Sequence, residues 1–410
     1  MKKIVFFLLI FNFQFSIFNS AIAQWTQLVS GTANHLEEIF FPAPDTGYVV
    51  GEVGTILKTT DGTSWTPLTI GSNKNLRDVF FLDSQNGFVV GDSGLFAKTT
   101  NGGSNWSVQF LTNINEINFF SVCFTDANNG CVGGSENFSS GIIFKTADGG
   151  LSWNIANTPS FVFDINYKRI IFPTPDTGYA LTRGFCMKTI DAGSNWALTD
   201  TFLFANGNMF SLLEDAYFFS PDTGYIVGWY SPFTGYTNNG GLNWSDYSLG
   251  QWFSIDFPSH QTGYIVGWGN LIKTTDGGAT WNNITSSLIQ NSGLYSMDFT
   301  DENTGYACGQ YGVIIKTTNG GITSTNELHT QNDFVVYPNP ASELLVIKNP
   351  ILNGEKCEIE IFDVMGKKIY STALATSKLT LQTSGFVSGM YFLKINSTKN
   401  ILTEKIIIQK

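Results

Sequence analysis

The sequence predicts an all-β chain, a seven-bladed β-propeller followed by a small immunoglobulin-like β-sandwich. Three observations predict it. A glycine-aromatic hairpin recurs at Gly47, Gly87, Gly130, Gly178, Gly224, Gly263 and Gly305, with steps of 40, 43, 48, 46, 39 and 42 residues. Each hairpin leads into a Lys-Thr strand (Tyr236-Thr237 in the fifth unit), a Gly-rich turn and, in six units, a Trp. Past residue 333 the repeat stops, and short apolar–polar alternations between turn residues replace it. A period near forty residues with several short strands per unit marks a propeller, because no unit can bury both faces of its sheet alone.

Residues 1–23 read as a secretory signal. Lys2-Lys3 supply charge, Ile4 to Ile10 and the aromatic stretch after it form the apolar region, and Ala21-Ile22-Ala23 gives a small-x-small cleavage pattern before Gln24. No later stretch is apolar and long enough to cross a bilayer. The propeller is expected over 24–321. In its first unit strand A is Leu36 to Phe41, strand B Tyr48 to Gly51, strand C Thr55 to Thr59, and strand D starts at Trp65. Strand A ends in Phe in every unit, at Phe41, Phe81, Phe124, Phe172, Phe218, Phe257 and Phe299. The strand D Trp occurs as Trp65, Trp106, Trp153, Trp196, Trp244 and Trp281. The seventh unit lacks one, whereas Trp25 stands at the other end of the chain. Residues 24–30 are therefore expected to supply strand D of blade 7, closing the ring and removing two open sheet edges. Residues 322–333 read as a polar linker, and 334–410 as the sandwich.

The 410 residues carry a net charge of −11, which disfavours nucleic acid as a partner. With three His, five Cys and no Cys-His group at metal-site spacing, no metal and no cofactor are expected. Cys123 and Cys131 flank one hairpin turn, where the repeat elsewhere has Phe40 and Tyr48. Apolar filling and a local disulfide both remain open for them.

The turn between strands C and D has the form Thr-x-Asp-Gly-Gly-x-x-Trp, cleanest at Thr274 to Trp281. Asp61, Asp148, Asp191 and Asp276 are read as structural, each carboxylate capping backbone N–H groups of its turn; Asn101, Asn239 and Asn319 replace them elsewhere. The motif resembles the Asp-box of sialidases, sortilins and some glycoside hydrolases, which implies an extracellular glycosidase as an alternative, sialidase-like or endoglucanase-like. The three arginines, Arg77, Arg169 and Arg183, stand in no sialidase-like context. Glu38, Asp78, Asp215, Glu52 and Asp92 are available to a paired-carboxylate mechanism, and nothing selects a pair. No catalytic residue is assigned, and the balance is against an enzyme.

Over residues 25–321 the whole repeat resembles the Ycf48/HCF136 propeller family. Characterised members assist photosystem II assembly by binding a partner protein. Their arginine-rich patch is not evident here, so the resemblance implies the fold and leaves the photosynthetic role in doubt. The tail, with Val336-Tyr337-Pro338-Asn339-Pro340-Ala341-Ser342, Ile361-Phe362-Asp363-Val364-Met365-Gly366, Gly389-Met390-Tyr391-Phe392-Leu393 and Lys405-Ile406-Ile407-Ile408, resembles the type IX (Por) secretion C-terminal sorting domain of Bacteroidetes. That resemblance implies that 334–410 is read by the outer-membrane secretion machinery, and that the protein is released or held at the cell surface.

The expected function is non-catalytic binding of a protein or carbohydrate ligand at or beyond the cell surface. A glycoside hydrolase and a structural adhesin or scaffold are the alternatives. The working face is expected to carry the B–C turns and D–A loops, which vary most between units. Trp229 and Trp268 follow the strand B glycine in adjacent blades, Trp252 stands at the D–A junction between them, and Arg183 is in the next blade. They are the candidate ligand platform; packing between blades 5 and 6 is the competing account.

Overall fold

The computed structural model describes residues 25–321 and 335–410, apart from 112–116, 137–139, 160–166, 183–184, 200–211, 230–233, 247–249, 287, 291–292, 349–356, 365, 375–377 and 397–400. The expected signal segment 1–23 and linker 322–333 lie outside the described residues. The chain divides into two compact units, one ending at Ser324 and one starting at Thr325.

The first unit holds seven four-stranded antiparallel sheets, each a blade with strands in the order A-B-C-D. Blade 1 comprises Leu36–Ala43, Thr46–Gly51, Ile56–Thr59 and Thr66–Pro67. Blade 7 draws Leu294–Phe299, Gly305–Gly309 and Ile314–Thr317 from one end of the chain and Thr26–Leu28 from the other. Thr26, Gln27 and Leu28 lie opposite Lys316, Ile315 and Ile314. Trp25 is buried in the core between blades 6 and 7, edge-on to Phe299 at 6.1 Å.

The repeated residues are the cement between blades. The Phe closing strand A folds back over its own hairpin glycine, so a Cβ at Gly47 would sit 2.5 Å from the Phe41 ring, and one at Gly305 would sit 2.3 Å from Phe299. This steric demand, rather than an unusual φ, fixes glycine there. The same Phe ring stacks on the strand B aromatic of the preceding blade: Phe81 on Tyr48 at 3.8 Å, Phe124 on Phe88 at 3.6 Å, Phe41 on Tyr306 at 3.9 Å. The strand C Lys lies over that aromatic and donates to a turn carbonyl of the next blade, as Lys58 does to Gly102 at 2.7 Å and Lys98 to Gly149 at 2.9 Å. The strand B Tyr hydroxyl donates to the same turn, as Tyr48 does to Gly102 at 3.0 Å, and in blade 5, where the Lys is absent, Tyr225 still donates to the Gly277 carbonyl at 2.8 Å. Cys123 and Cys131 lie opposite each other in blade 3, both buried, both free thiols, filling the blade 3–4 core.

The second unit packs a three-stranded sheet (Val335–Tyr337, Leu344–Lys348, Lys378–Gln382) and a four-stranded one (Lys368–Leu374, Cys357–Asp363, Gly389–Asn396, Ile401–Ile408) around one apolar core. Its Pro-Asn-Pro-Ala segment clamps the last strand. Asn339 Nδ2 donates to the Lys405 carbonyl at 2.8 Å and Asn339 Oδ1 accepts from the Ile407 N–H at 2.9 Å. Ala341 exchanges backbone bonds with Ile407 and Gln409, both at 2.8 Å. The two ends of this domain thus specify each other.

Candidate functional site: the central channel and its vestibule

Strand A lines the ring's central channel, and a repeated irregularity decides which side chains enter it. The A–B register slips between Leu36 and Glu38, Leu76 and Asp78, Phe119 and Ser121, Leu213 and Asp215, Trp252 and Ser254, and Leu294 and Ser296. In blade 4 Arg169 lies opposite Leu181 while the Lys168 N–H also donates to the Leu181 carbonyl, at 2.9 Å. Such a bulge sets two residues against one and re-aims a side chain. Consecutive residues therefore both face the channel, as Glu37 and Glu38, Lys168 and Arg169, Glu214 and Asp215, and Phe253 and Ser254 do.

The inner of the two positions is occupied around the ring by Glu38, Asp78, Ser121, Arg169, Asp215, Ser254 and Ser296. Five of these accept the N–H of the next blade's strand A. Val122 donates to Asp78 (2.7 Å), Ile170 to Ser121 (3.0 Å), Ile255 to Asp215 (3.0 Å), Met297 to Ser254 (3.3 Å) and Ile39 to Ser296 (3.3 Å). This belt satisfies backbone donors on the inner edge of each blade, where strand A has no further strand to pair with. The remaining two, Glu38 and Arg169, reach across the channel to each other at 3.1 Å. Arg169 Nε also stands 3.0 Å from Asp215 Oδ1, and its NH1 stands 3.7 Å from Asp78 Oδ1. One guanidinium thus ties four blades together and partitions the channel. Glu38, Arg169 and Asp215 line both the outer cavity, of about 590 Å³, and the inner one, of about 300 Å³.

Three carboxylates on one cation leave an excess of negative charge in a buried place. Burial pushes Glu38 up to about 8 against the pull of Arg169, and it raises Asp78 as well. On the hairpin side burial, reinforced by the charge of Asp298, pushes Asp256 up to about 8, and burial raises Asp298 to about 6. A raised carboxyl keeps its proton in the folded state after the unfolded chain has lost it. Its stabilisation is full below the unfolded value and is lost as pH rises through the folded one. Each such proton costs about 1.4 kcal/mol of stability per pH unit across that window. The turn carboxylates act oppositely. Hydrogen bonds from Ser152 and Thr280 lower Asp148 and Asp276, each to about 2, so their contribution fails only in strong acid. The expected result is maximal stability near about pH 4, declining as pH rises towards about 8. Denaturant unfolding across that range reads it, and Glu38→Gln with Asp256→Asn should flatten the alkaline limb. A curve that rises towards about pH 8 would contradict this assignment.

The outer cavity is a vestibule on the face of the B–C turns and D–A loops, since His35, Glu52, Trp229 and Gln310 border it. Its described cations are paired. Arg77 bridges Glu37 at 2.9 Å and takes Asp92 bidentately at 2.9 and 3.0 Å, while Lys168 stands 3.5 Å from Glu214 and over the Phe120 ring.

Of the three expected platform residues that are described, only Trp229 lines this vestibule. Trp268 is 53% exposed and outside the residues bordering it. Trp252 is 3% exposed, which corrects its expected role: a buried indole cannot stack on a ligand. It fills the strand A core position held by Leu36, Leu76, Leu213 and Leu294, and it packs with Tyr225, Ile255 and Phe257. Arg183 lies outside the described residues. The turn carboxylates cap their turns. Asp61 Oδ1 accepts from the Thr63 and Ser64 N–H at 2.7 Å, Asp148 from Ser152 (2.9 Å), Asp191 from Asn195 (2.9 Å) and Asp276 from Thr280 (2.8 Å).

A vestibule on a seven-bladed ring, together with a two-sheet domain clamped through its terminal strand, defines a β-propeller followed by a small β-sandwich. Comparison with known proteins bears this out. Residues 335–409 match the model of the secretion system C-terminal sorting domain, and residues 63–159 and 250–333 match that of the photosynthesis system II assembly factor YCF48. A search of curated protein sequences found no match to the chain. Among solved structures, YCF48 bound to D1 peptide aligns with a TM-score of 0.58 and 18% identity over 73% of this chain and 100% of that one. YCF48 from Cyanidioschyzon merolae gives 0.56 and 20% over 72% and 98%. PorZ, a surface component of the type IX secretion system of Porphyromonas gingivalis, gives 0.54 and 13% over 90% of this chain and 58% of that one. The GH74 enzyme of Niastella koreensis gives 0.57 and 10% over 94% and 75%. At these identities the likeness is one of fold. The sorting domain marks the chain for export by the type IX secretion system, to the cell surface or the extracellular space, and so for interaction with that machinery. Among the described residues no helix is long and apolar enough to cross a membrane.

Proposed function

We propose that the propeller, residues 24–321, is a non-catalytic receptor whose protein or carbohydrate ligand docks in the vestibule, and that 334–410 serves delivery alone. The observation that carries this reading is the convergence of Glu38, Asp78 and Asp215 on Arg169. Paired-carboxylate hydrolysis needs two acids flanking an open gap that holds the scissile bond. Here a guanidinium fills that gap, and the acids beside it hold blades together. The YCF48 bound to D1 peptide shares the fold and carries a peptide. Removing 334–410 should leave a folded propeller that stays inside the outer membrane, read by cell fractionation; normal export of the truncated chain would sink the delivery role. A second reading, glycoside hydrolysis, draws on the GH74 likeness and on Glu38 keeping its proton to about 8. Release of reducing ends from a polysaccharide, abolished by Glu38→Gln, would establish it in place of the first.

A further inference from the structure

One side of the vestibule wall carries Trp229, Phe253, Tyr295 and His35, and the run of rings continues beyond it to Tyr311. Trp229 stacks on Phe253 at 6.0 Å, Phe253 meets Tyr295 edge-on at 5.6 Å, Tyr295 stacks on His35 at 6.3 Å, and His35 meets Tyr311 at 5.0 Å. This arc crosses blades 5, 6, 7 and 1. Phe253 and Tyr295 stand at the bulge position, which blades 1, 2, 4 and 5 fill with Glu37, Arg77, Lys168 and Glu214 and blade 3 with Phe120, so their rings face the channel instead of the blade core. Tyr311 is 72% exposed and adopts φ +55, a left-handed conformation that a bulky residue takes at a cost. The turn thus holds an aromatic ring on the rim where glycine would relieve the backbone.

The other side of the wall decides the ligand's charge. Each cation there is already held by carboxylates: Arg77 by Glu37 and Asp92, Lys168 by Glu214, Arg169 by Glu38, Asp78 and Asp215. Among the described residues bordering the vestibule no cation is left to meet an anionic sugar, and the chain as a whole carries −11. Aromatic faces stack on the C–H faces of pyranose rings. Carboxylate and amide groups beside them, here Glu52 and Gln310, accept and donate to hydroxyls. The ring spacing along the arc is comparable to the repeat of a sugar along a chain.

We propose that the arc Trp229–Phe253–Tyr295–His35–Tyr311 binds an uncharged polysaccharide chain, several sugars long, laid along the vestibule rim. This rests on vestibule docking as the propeller's function and names its ligand class. The test is titration of the purified full chain with mixed-linkage β-glucan, xylan and mannan, against alginate and chondroitin sulfate as anionic counterparts. At least one uncharged polymer should bind and quench tryptophan fluorescence, with affinity indifferent to salt. Phe253→Ala and Tyr311→Ala should each weaken it about ten-fold, whereas Tyr295→Phe should keep it. Tyr311 is exposed, so its variant folds regardless of the fate of the Phe253 variant. Binding confined to the anionic polymers, or none to any polymer, overturns the ligand class and leaves vestibule docking standing. Uncharged-polymer binding that survives both alanine variants unchanged overturns the site, and vestibule docking with it.

Discussion

Deleting residues 24–30 should abolish cooperative folding of the propeller. Trp25 is 4% exposed in the core between blades 6 and 7, and the strand behind it pairs with Ile314 to Lys316 along the whole outer edge of blade 7. Removal of the indole alone, as in Trp25→Ala, should cost about 3–5 kcal/mol. Loss of the strand also bares the edge of Ile314–Thr317 and uncovers Leu28's packing between blades 7 and 1. The effect exceeds that of deleting any other outer strand, because this one joins the chain's two ends and closes the ring. Grafting 24–30 behind Gly321 in the deleted chain should restore a two-state thermal transition. A deletion variant that melts at the wild-type temperature would show that the ring is held shut elsewhere.

Arg169→Met should be the most damaging single substitution in the channel, at about 3 kcal/mol or more. It strands Glu38, Asp78 and Asp215 in a buried ring without their cation, and a broken buried ion pair costs far more than a neutralised one. Combining it with Glu38→Gln and Asp215→Asn should return most of the lost stability. Asp215 still accepts the Ile255 N–H in the parent, so the amide at that position preserves the belt through its oxygen. Chemical denaturation of the single and triple variants reads both effects. A triple variant no more stable than Arg169→Met would mean that the guanidinium acts through packing and not through charge.

Ring, blade count and export tail were all legible in the chain, because each rests on residues that recur or on a motif with one steric meaning. The hairpin glycine is the clearest case: it recurs because the Phe closing strand A occupies the space of its Cβ. The site was legible only in part. The cavity lies on the face where the B–C turns and D–A loops vary between units, and Trp229 borders it. Trp252 was misread because it looks exceptional as a tryptophan, although in register with Leu36, Leu76 and Leu294 it occupies a core position. The missing signal was the register itself. Aligned on the final Phe, strand A shows a polar residue in every blade at the position of Glu38 and Arg169. Which neighbour also turns inward depends on the bulge, a backbone feature with no residue signature of its own. For the same reason nothing in the sequence singles out Phe253 and Tyr295, which line the vestibule.

If the propeller works through the vestibule and not through its hairpin face or outer edges, a bound ligand protects the vestibule backbone alone. Hydrogen–deuterium exchange of the full chain with and without its bound polysaccharide tests it most directly. Protection should concentrate in the peptides bearing His35, Trp229, Phe253, Tyr295 and Tyr311, leaving the hairpins at Gly47, Gly87 and Gly305 unchanged. Protection confined to those hairpins or to the outer strands, with the vestibule peptides unaltered, would contradict the account.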